Sequence, residues 1–125
     1  MAVTNNGLLT GVILLVDTDA AATAIAVKAS SAVLYELELD NTANGAATYL
    51  KIYNTGTVTV GTTVPDWVIM VPASVSRTIV IPSGLTFATA LTYAAVTAGG
   101  TAGTTPPTSD FAIKLSHKNT IIPCL

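Results

Sequence analysis

The stretch that decides the fold is Val33–Asp40, with the sequence VLYELELD, in which apolar and acidic residues alternate. A period of two is typical of a β-strand that has one buried and one solvated face. The pattern predicts an inward face of Val33, Tyr35, Leu37 and Leu39, and an outward face of Glu36, Glu38 and Asp40. The two glutamates are therefore interpreted as ordinary solvated residues rather than as a catalytic carboxylate pair.

The residues that follow this strand favour a turn and a second strand. Asn41–Gly45 ends in an Asn-Gly dipeptide, which tolerates the positive φ angles of hairpin turns. Ala47–Tyr53 then alternates again. The sequence predicts that these two strands pair as a β-hairpin.

Short runs of Thr, Val, Ile and aromatic residues continue along the chain, separated by Gly and Pro. Further strands are predicted at Trp67–Val71, Arg77–Ile81, Leu85–Thr89, Thr92–Thr97 and Phe111–Ser116. Pro72, Pro82–Gly84 and the long loop Ala98–Asp110 separate these strands. The apolar run Leu8–Val16 is interpreted as a buried strand, and a helix is the alternative for Ala20–Ala29.

A chain of 125 residues suits a single domain with one core. Many short strands with frequent turns predict an all-β fold, an antiparallel β-sandwich of the jelly-roll or Ig-like type. The expected parts are an N-terminal arm at residues 1–7, the sandwich at residues 8–118 and a C-terminal tail at residues 119–125.

The composition is unusually poor in charge. Charged residues make up 10% of the chain, against about 25% in ordinary soluble domains, and the mean hydropathy is +0.63. The run Leu8–Val16 is too short for a membrane span, which needs about 20 apolar residues. Met1–Gly7 carries no Lys or Arg, so a secretory signal is not expected. Much of the surface is therefore expected to be either neutral Thr, Ser and Asn or covered by protein partners.

Few residues offer chemistry. Cys124 is the only cysteine, which excludes an internal disulfide, and His117 is the only histidine. His117 is expected to be an exposed residue at a strand end, and no G-x-S-x-G elbow accompanies it. Five scattered basic residues argue against nucleic acid as a partner. The sequence predicts no enzyme activity, no cofactor and no small-molecule substrate.

Two polar segments have an alternative interpretation as ligand sites. Asp17 and Asp19, with Asp40, carry oxygens of the kind that Ca²⁺ binds, but the segment is interpreted as a turn after the first strand. Gly99–Gly103 resembles a phosphate loop only superficially, because no Gly-Lys-Ser/Thr follows. It is expected to be a flexible tip, either a contact loop or a linker.

Apolar residues at two places are candidates for contacts with partners. The tail beyond the last strand is apolar, and aromatic residues alternate along the predicted sheet. The residues expected at an interface are Ile121, Ile122, Leu125, Trp67 and Tyr53. A carbohydrate platform built from Tyr49, Tyr53 and Trp67 is the alternative for the aromatic residues.

A series of short motifs links the chain to a known group of proteins. These motifs are Tyr49–Asn54 (YLKIYN), Val60–Pro65 (VGTTVP), Val71–Ala73 (VPA), Gly84–Phe87 (GLTF) and Thr104–Pro106 (TTP). Their order resembles that of small virion structural proteins of tailed phages, including phages of cyanobacteria. The resemblance covers the C-terminal two thirds of the chain and rests on Gly and Pro residues that fix turns. It carries no catalytic residue.

The resemblance implies a β-sandwich that cements or decorates a capsid. The implied partners are copies of the chain itself and a major capsid protein, within a virion assembled in the host cytoplasm. A component of the tail, baseplate or fibre, with a tail protein as partner and a glycan as a conceivable ligand, is the alternative. A small hydrolase or metal enzyme is a third, which the residue inventory disfavours.

Deletion of residues 120–125 tests the expected role of the tail. Ile121, Ile122 and Leu125 follow the last predicted strand, where a closed sandwich has little core to offer them. Each side chain is worth about 1.5–3 kcal/mol when buried, which a neighbouring subunit can supply. The truncated protein should keep its thermal unfolding temperature but lose retention on particles in a sedimentation assay. Unfolding of the truncated protein would instead place the tail in its own core.

Overall fold

The computed structural model describes residues 12–119, which contain eight β-strands and no helix. The strands are β1 Val12–Asp17, β2 Ile25–Lys28, β3 Ala32–Asp40, β4 Thr48–Tyr53, β5 Trp67–Val71, β6 Ser76–Phe87, β7 Leu91–Val96 and β8 Ala112–Asn119. The predicted all-β class is confirmed. The segment for which a helix was the alternative, Ala20–Ala29, contains the short strand β2.

The strands form two antiparallel sheets of four strands each. The first, sheet I, has the order β1-β8-β3-β6, and the second, sheet II, has the order β2-β7-β4-β5. The pairs are nested, because β1 pairs with β8, β2 with β7, β3 with β6 and β4 with β5. This nesting is the jelly-roll arrangement of a double-sheet sandwich.

The core lies between the two sheets. It is made of alternate residues of the inner strands and residues of the edge strands β5 and β6, together with Ala20 and Phe111 outside the strands. The largest fully buried core members are Leu34, Leu37, Leu39, Leu50, Ile52, Leu91, Tyr93, Phe111, Ile113 and Leu115. Both sheets thus bury their facing sides against each other, as a sandwich requires.

The predicted hairpin between β3 and β4 is wrong. The two strands are neighbours in sequence but belong to different sheets, so the segment between them is a corner that crosses the core. Gly45 does not adopt a positive φ angle. The corner is instead held by Asn41, whose side-chain amide donates to the carbonyls of Ala46, Val71 and Pro72 at 3.0–3.1 Å.

A second buried amide extends this corner to the start of β8. Asn44 Nδ2 donates to Asn41 Oδ1 at 2.9 Å, and Thr48 Oγ1 donates to the same oxygen at 2.8 Å. Asn44 Oδ1 accepts from the backbone N–H of Ser109 at 2.8 Å. A strand that left the corner as a hairpin would leave these buried polar groups without partners, which is costly. The polar cluster therefore directs β4 into the second sheet.

The inward face of β3 also differs from the prediction. A β-bulge lies between Leu34 and Glu36, and Tyr35 has no paired residue on either neighbouring strand. An extra residue in a strand reverses the phase of the side chains beyond it. Leu34, Leu37 and Leu39 are therefore buried, whereas Tyr35 is half-buried and lies with its ring 5.6 Å from the ammonium of Lys118.

The two strands predicted on either side of Pro82–Gly84 form one edge strand, β6. Pro82 lacks an N–H donor and is accepted in a sheet only at an edge or a bulge. Pro82 meets both conditions. Strand β6 is at the edge of sheet I, and its pairing with β3 is interrupted between Val80 and Leu85, where Pro82 lies. Gly84 has a φ of 79°, which a side chain would strain.

Leu37→Asp and Glu38→Gln form a matched pair on β3 that tests this face assignment. Leu37 is fully buried and Glu38 is exposed. An unpaired carboxylate in the core costs several kcal/mol, a large part of the roughly 5–15 kcal/mol that stabilises a domain. Leu37→Asp should abolish cooperative urea unfolding, whereas Glu38→Gln should change the free energy of unfolding by less than about 0.5 kcal/mol. Similar effects of the two substitutions would contradict the assignment.

Candidate interaction surface

The outer face of sheet II is covered by the chain itself. All six residues of β7 are buried, although alternate ones point away from the core. The loop between β7 and β8, which contains the predicted tip Gly99–Gly103, lies over this face. The cover therefore hides the outer face of β7 and of Lys51 on β4, whereas Val68 and Met70 of the edge strand β5 remain exposed on that face.

Lys51 fastens this loop. It lies on the outer face of β4 with no exposed surface, and its Nζ donates to the carbonyls of Gly100 at 2.6 Å and Gly103 at 3.2 Å. A third carbonyl, that of Thr101, lies 3.5 Å away. Burial lowers the pKa of the Lys51 ammonium. Backbone carbonyls thus compensate the buried charge.

The glycines of the loop permit this close packing. A Cβ at Gly99 would lie 2.9 Å from the ring of Tyr49, and a Cβ at Gly103 would lie 2.7 Å from the carbonyl oxygen of Ala98. The expectation of a flexible tip is therefore wrong. The segment is a packed cover in which Gly99 permits contact with the sheet and Gly103 permits the close fold of the loop on itself.

The outer face of sheet I has no such cover among the described residues. Its central part is polar, and a shallow groove of about 220 Å³ lies across β8, β3 and β6. Glu38 and Lys114 are opposite each other across neighbouring strands in this groove. Asp40, also in the groove, accepts from the side chain and the backbone N–H of Thr42, and these hydrogen bonds lower its pKa.

The edge of sheet I at β1 is aliphatic. Val12, Leu14 and Val16 on the outer face are 47%, 61% and 53% exposed, and Ile13 on the inner face is 48% exposed. The interpretation of Leu8–Val16 as a buried strand is therefore wrong for its described part, residues 12–16, because β1 is an edge strand. Exposed aliphatic residues on both faces of an edge strand form a surface suited to a protein partner.

Each of the three other edge strands carries a feature that hinders pairing over part of its length. Strand β2 has four residues, a bulge and Lys28. Strand β6 carries Pro82 and a bulge. Arg77 of β6 donates to the Met70 carbonyl of β5 at 2.7 Å, which occupies an acceptor of β5. Pro, Lys and bulges are the usual means of blocking an edge, and β1 has none of them in residues 12–16.

The structure distributes the predicted interface residues differently. Ile121, Ile122 and Leu125 lie outside the described residues, as does the arm at residues 1–7. Tyr53 has no exposed surface, so it is a buried residue and offers nothing to a partner. Trp67 is half-buried and packs against the core.

The aromatic residues considered for a carbohydrate platform do not form one surface. Trp67 is opposite the core residue Ile52, so it points inward. Tyr49 and Tyr53 lie on the other side of sheet II, with Tyr49 against Gly99. Sheet II itself therefore separates these two rings from Trp67.

His117 is buried rather than exposed. It lies on the inner side of β8, opposite Ile13 of β1 and Leu34 of β3, and its Nδ1 has no hydrogen-bond partner within residues 12–119. Burial lowers its pKa, and the positive charge of Lys28 lowers the pKa further. The neutral imidazole thus serves as a packing residue beneath the β1 edge.

The aspartates near β1 turn the chain, as predicted. The N–H of Asp19 donates to Asp17 Oδ1 at 2.9 Å, and the hydroxyl of Tyr93 donates to Asp17 Oδ2. Burial and the hydrogen bond to Asp17 raise the pKa of Tyr93. Within residues 12–119, no three His, Cys, Asp or Glu side chains lie close enough together to hold a metal ion. The same residues include no helix able to cross a membrane.

Sequence reasoning missed two groups of residues that shape this surface. Lys51 was counted among scattered surface charges, and Asn41 and Asn44 were assigned to a turn. The alternation along β4 does place Lys51 on the same side as Tyr49 and Tyr53, but only the distant loop explains its burial. The aliphatic residues of β1 were visible in the sequence, whereas their exposure was not.

The pH dependence of stability tests the burial of His117. Its pKa is lowered from 6.5 in the folded state, so the unfolded chain binds more protons below that pH. Stability should therefore fall as the pH decreases through 6.5, by at most about 1.4 kcal/mol per pH unit for one proton. Asp40 does not contribute in this range, because its carboxyl titrates below 3.8.

Urea unfolding between about pH 7.5 and about pH 5.5 measures this dependence. His117→Gln should flatten the slope, because glutamine does not titrate. An equal slope in the parent protein and in His117→Gln would contradict the burial of a neutral imidazole.

The chain matches no protein family and no curated protein. Among solved structures it is similar to a chain from "Bacillus endospore appendages form a novel family of disulfide-linked pili". The similarity has 15% sequence identity and a TM-score of 0.39, and covers 87% of this chain and 86% of that chain. At a TM-score below 0.5, this similarity carries no argument about the chain.

Proposed function

We propose that this chain is a structural protein of a phage virion, in the role of a capsid cement or decoration protein. It would stabilise the shell through contacts with copies of itself and with the major capsid protein. The virion assignment comes from the sequence motifs described above. The observation that carries the contact role is the unprotected aliphatic edge at β1.

The exposed side chains of β1 favour a covered edge in the working state. Four aliphatic residues in one six-residue strand are about half exposed. Complete burial of such a side chain is worth about 1.5–3 kcal/mol, so the remaining exposed half is worth on the order of 1 kcal/mol each. A partner that covers this edge therefore gains several kcal/mol before the cost of association is subtracted.

The low charge supports the same function. A chain with 12 charged residues and an area of 6258 Å² has a sparse charge coat. Charged surface residues favour the monomer and oppose close contact between like copies. Such a sparse coat suits a protein whose surface is enclosed by neighbours in a lattice.

The copy number of the chain in purified particles tests this proposal. Quantitative mass spectrometry of virions would compare peptides of this chain with peptides of the major capsid protein. A cement protein should be present at a copy number comparable to that of the shell subunit. A copy number that matches tail or fibre components would replace the capsid role with the tail alternative. Absence from purified particles would overturn the virion assignment.

A further inference from the structure

The four sheet edges differ in what they can accept, and this difference identifies the partner of β1. Pairing along an edge needs a strand with free backbone groups and side chains that fit those opposite. Strands β2, β5 and β6 are each hindered over part of their length, by a bulge, by Arg77 and by Pro82 respectively. Within the described residues, the edge best suited to pair with β1 is therefore β1 of another copy.

We propose that two copies of this chain pair antiparallel through β1, joining two four-stranded sheets into one sheet of eight strands. This inference rests on the proposed function in one respect, since it names the partner at the β1 edge. The resulting contact is isologous, with a two-fold axis perpendicular to the sheet.

The order of side chains along β1 fixes the register. With Leu14 opposite Leu14 of the second copy, Val12 faces Val16 on the outer side and Ile13 faces Leu15 on the inner side. Every such pair is aliphatic, and directly opposite residues on one face are the pairs that stabilise a sheet. Asp17 then lies beyond the paired aliphatic residues, so its charge does not enter the apolar part of the contact.

The alternative register, in which the centre of pairing moves from Leu14 to Leu15, is less favourable. With Leu15 opposite Leu15, Asp17 faces Ile13 on the inner side and Val12 faces Thr18. A carboxylate would then be placed against an aliphatic residue at the contact. The aliphatic order of VILLVD thus favours the Leu14-centred register.

The size of the contact determines its strength. The six residues of β1 extend about 20 Å along the strand, and the sandwich is about as deep across its two sheets. A contact of these dimensions buries about 400 Å² of surface on each copy, which is half of a standard protein–protein interface. The isolated pair should therefore be weak and concentration-dependent. In a shell, where many copies are held close together, the same contact gains from multivalency.

Cysteine cross-linking tests the pairing and its register. In a Cys124→Ser background, Leu14→Cys places two thiols at directly opposite positions. The Cα atoms would be about 4.5–5.5 Å apart, within the range that a disulfide bridges. Mild oxidation of the purified protein at high concentration should convert most of the Leu14→Cys protein to a covalent dimer on a non-reducing gel.

Val80→Cys is the matched control. Val80 is 61% exposed, the same as Leu14, and lies on β6 at the other edge of sheet I. The Val80→Cys variant should remain monomeric under the same oxidation. Circular dichroism of both variants would verify that each remains folded.

A mixing experiment tests the register independently. Val12→Cys and Val16→Cys should each fail to form a dimer alone, because two Val12 positions are separated by about 13 Å along the strands. An equimolar mixture of the two variants should form the covalent heterodimer.

Three results would overturn the proposal. Leu14→Cys could cross-link no more than Val80→Cys, as expected if residues 1–11 or a different protein cover the edge. Leu14→Cys could cross-link to Val80→Cys in a mixture, which would indicate a head-to-tail chain of copies. Val12→Cys could form a dimer alone, which would show a different register.

These outcomes are separate from those for the proposed function. If the chain is abundant in virions but Leu14→Cys does not cross-link, the structural role stands and this interface fails. If Leu14→Cys forms the dimer but the chain is absent from particles, the pairing stands and the virion assignment fails.

Discussion

The buried side-chain amide of Asn41 is the interaction on which the arrangement of the two sheets depends. Asn41 has no exposed surface, and its amide donates to three carbonyls and accepts from Asn44 and Thr48. Because buried polar groups without partners are costly, these hydrogen bonds hold the corner, the β5–β6 connection and the start of β4 in one geometry. That geometry sends β3 and β4 into opposite sheets, and the nested pairing of the other strands is compatible only with this crossing.

The two sheets then differ in how their outer faces are used. Sheet II carries a loop that is held in place by Lys51. The Lys51 ammonium donates to backbone carbonyls of this loop instead of to water. Sheet I ends in β1, whose aliphatic residues have no partner in residues 12–119 beyond their contacts with β8 and the core. One side of the sandwich is therefore completed within the chain, whereas the other is suited to completion by a neighbour.

The sequence predicted most strands because the alternation of side chains is a local property. Trp67–Val71 was predicted with its observed limits, and the strands around Leu37, Leu50 and Ala94 differ only by a residue or two at their ends. Pairing was not predictable in the same way, since it depends on contacts such as Asn41 with Val71, 30 residues apart. The bulge at Tyr35 could not be predicted from the sequence. An extra residue does not disturb the alternation of apolar and polar residues, but it reverses which of them face the core beyond that point.

The same distinction applies to the candidate interaction surface. The aliphatic character of β1 was evident from the sequence, but whether a strand is central or at an edge depends on its neighbours. Tyr53 was expected at an interface because aromatic residues favour such positions, and its burial depends on how the rest of the chain packs around it. Lys51 was hidden for a comparable reason, because its carbonyl partners come from residues about 50 positions later.

The nested strand order has a consequence for synthesis on the ribosome. Strand β1 is made first, yet its partner in the sheet is β8, which is made last. Among the eight strands of residues 12–119, only β4 and β5 are both consecutive and paired, so this part of a nascent chain has one local hairpin to form before its C-terminal part emerges. Until then, the aliphatic residues of β1 lack both β8 and the core beneath them. Pairing over such sequence separations is slow, and exposed strand edges favour association between unfinished chains. The feature that suits the mature edge to a neighbour thus also makes the unfinished chain prone to premature contacts.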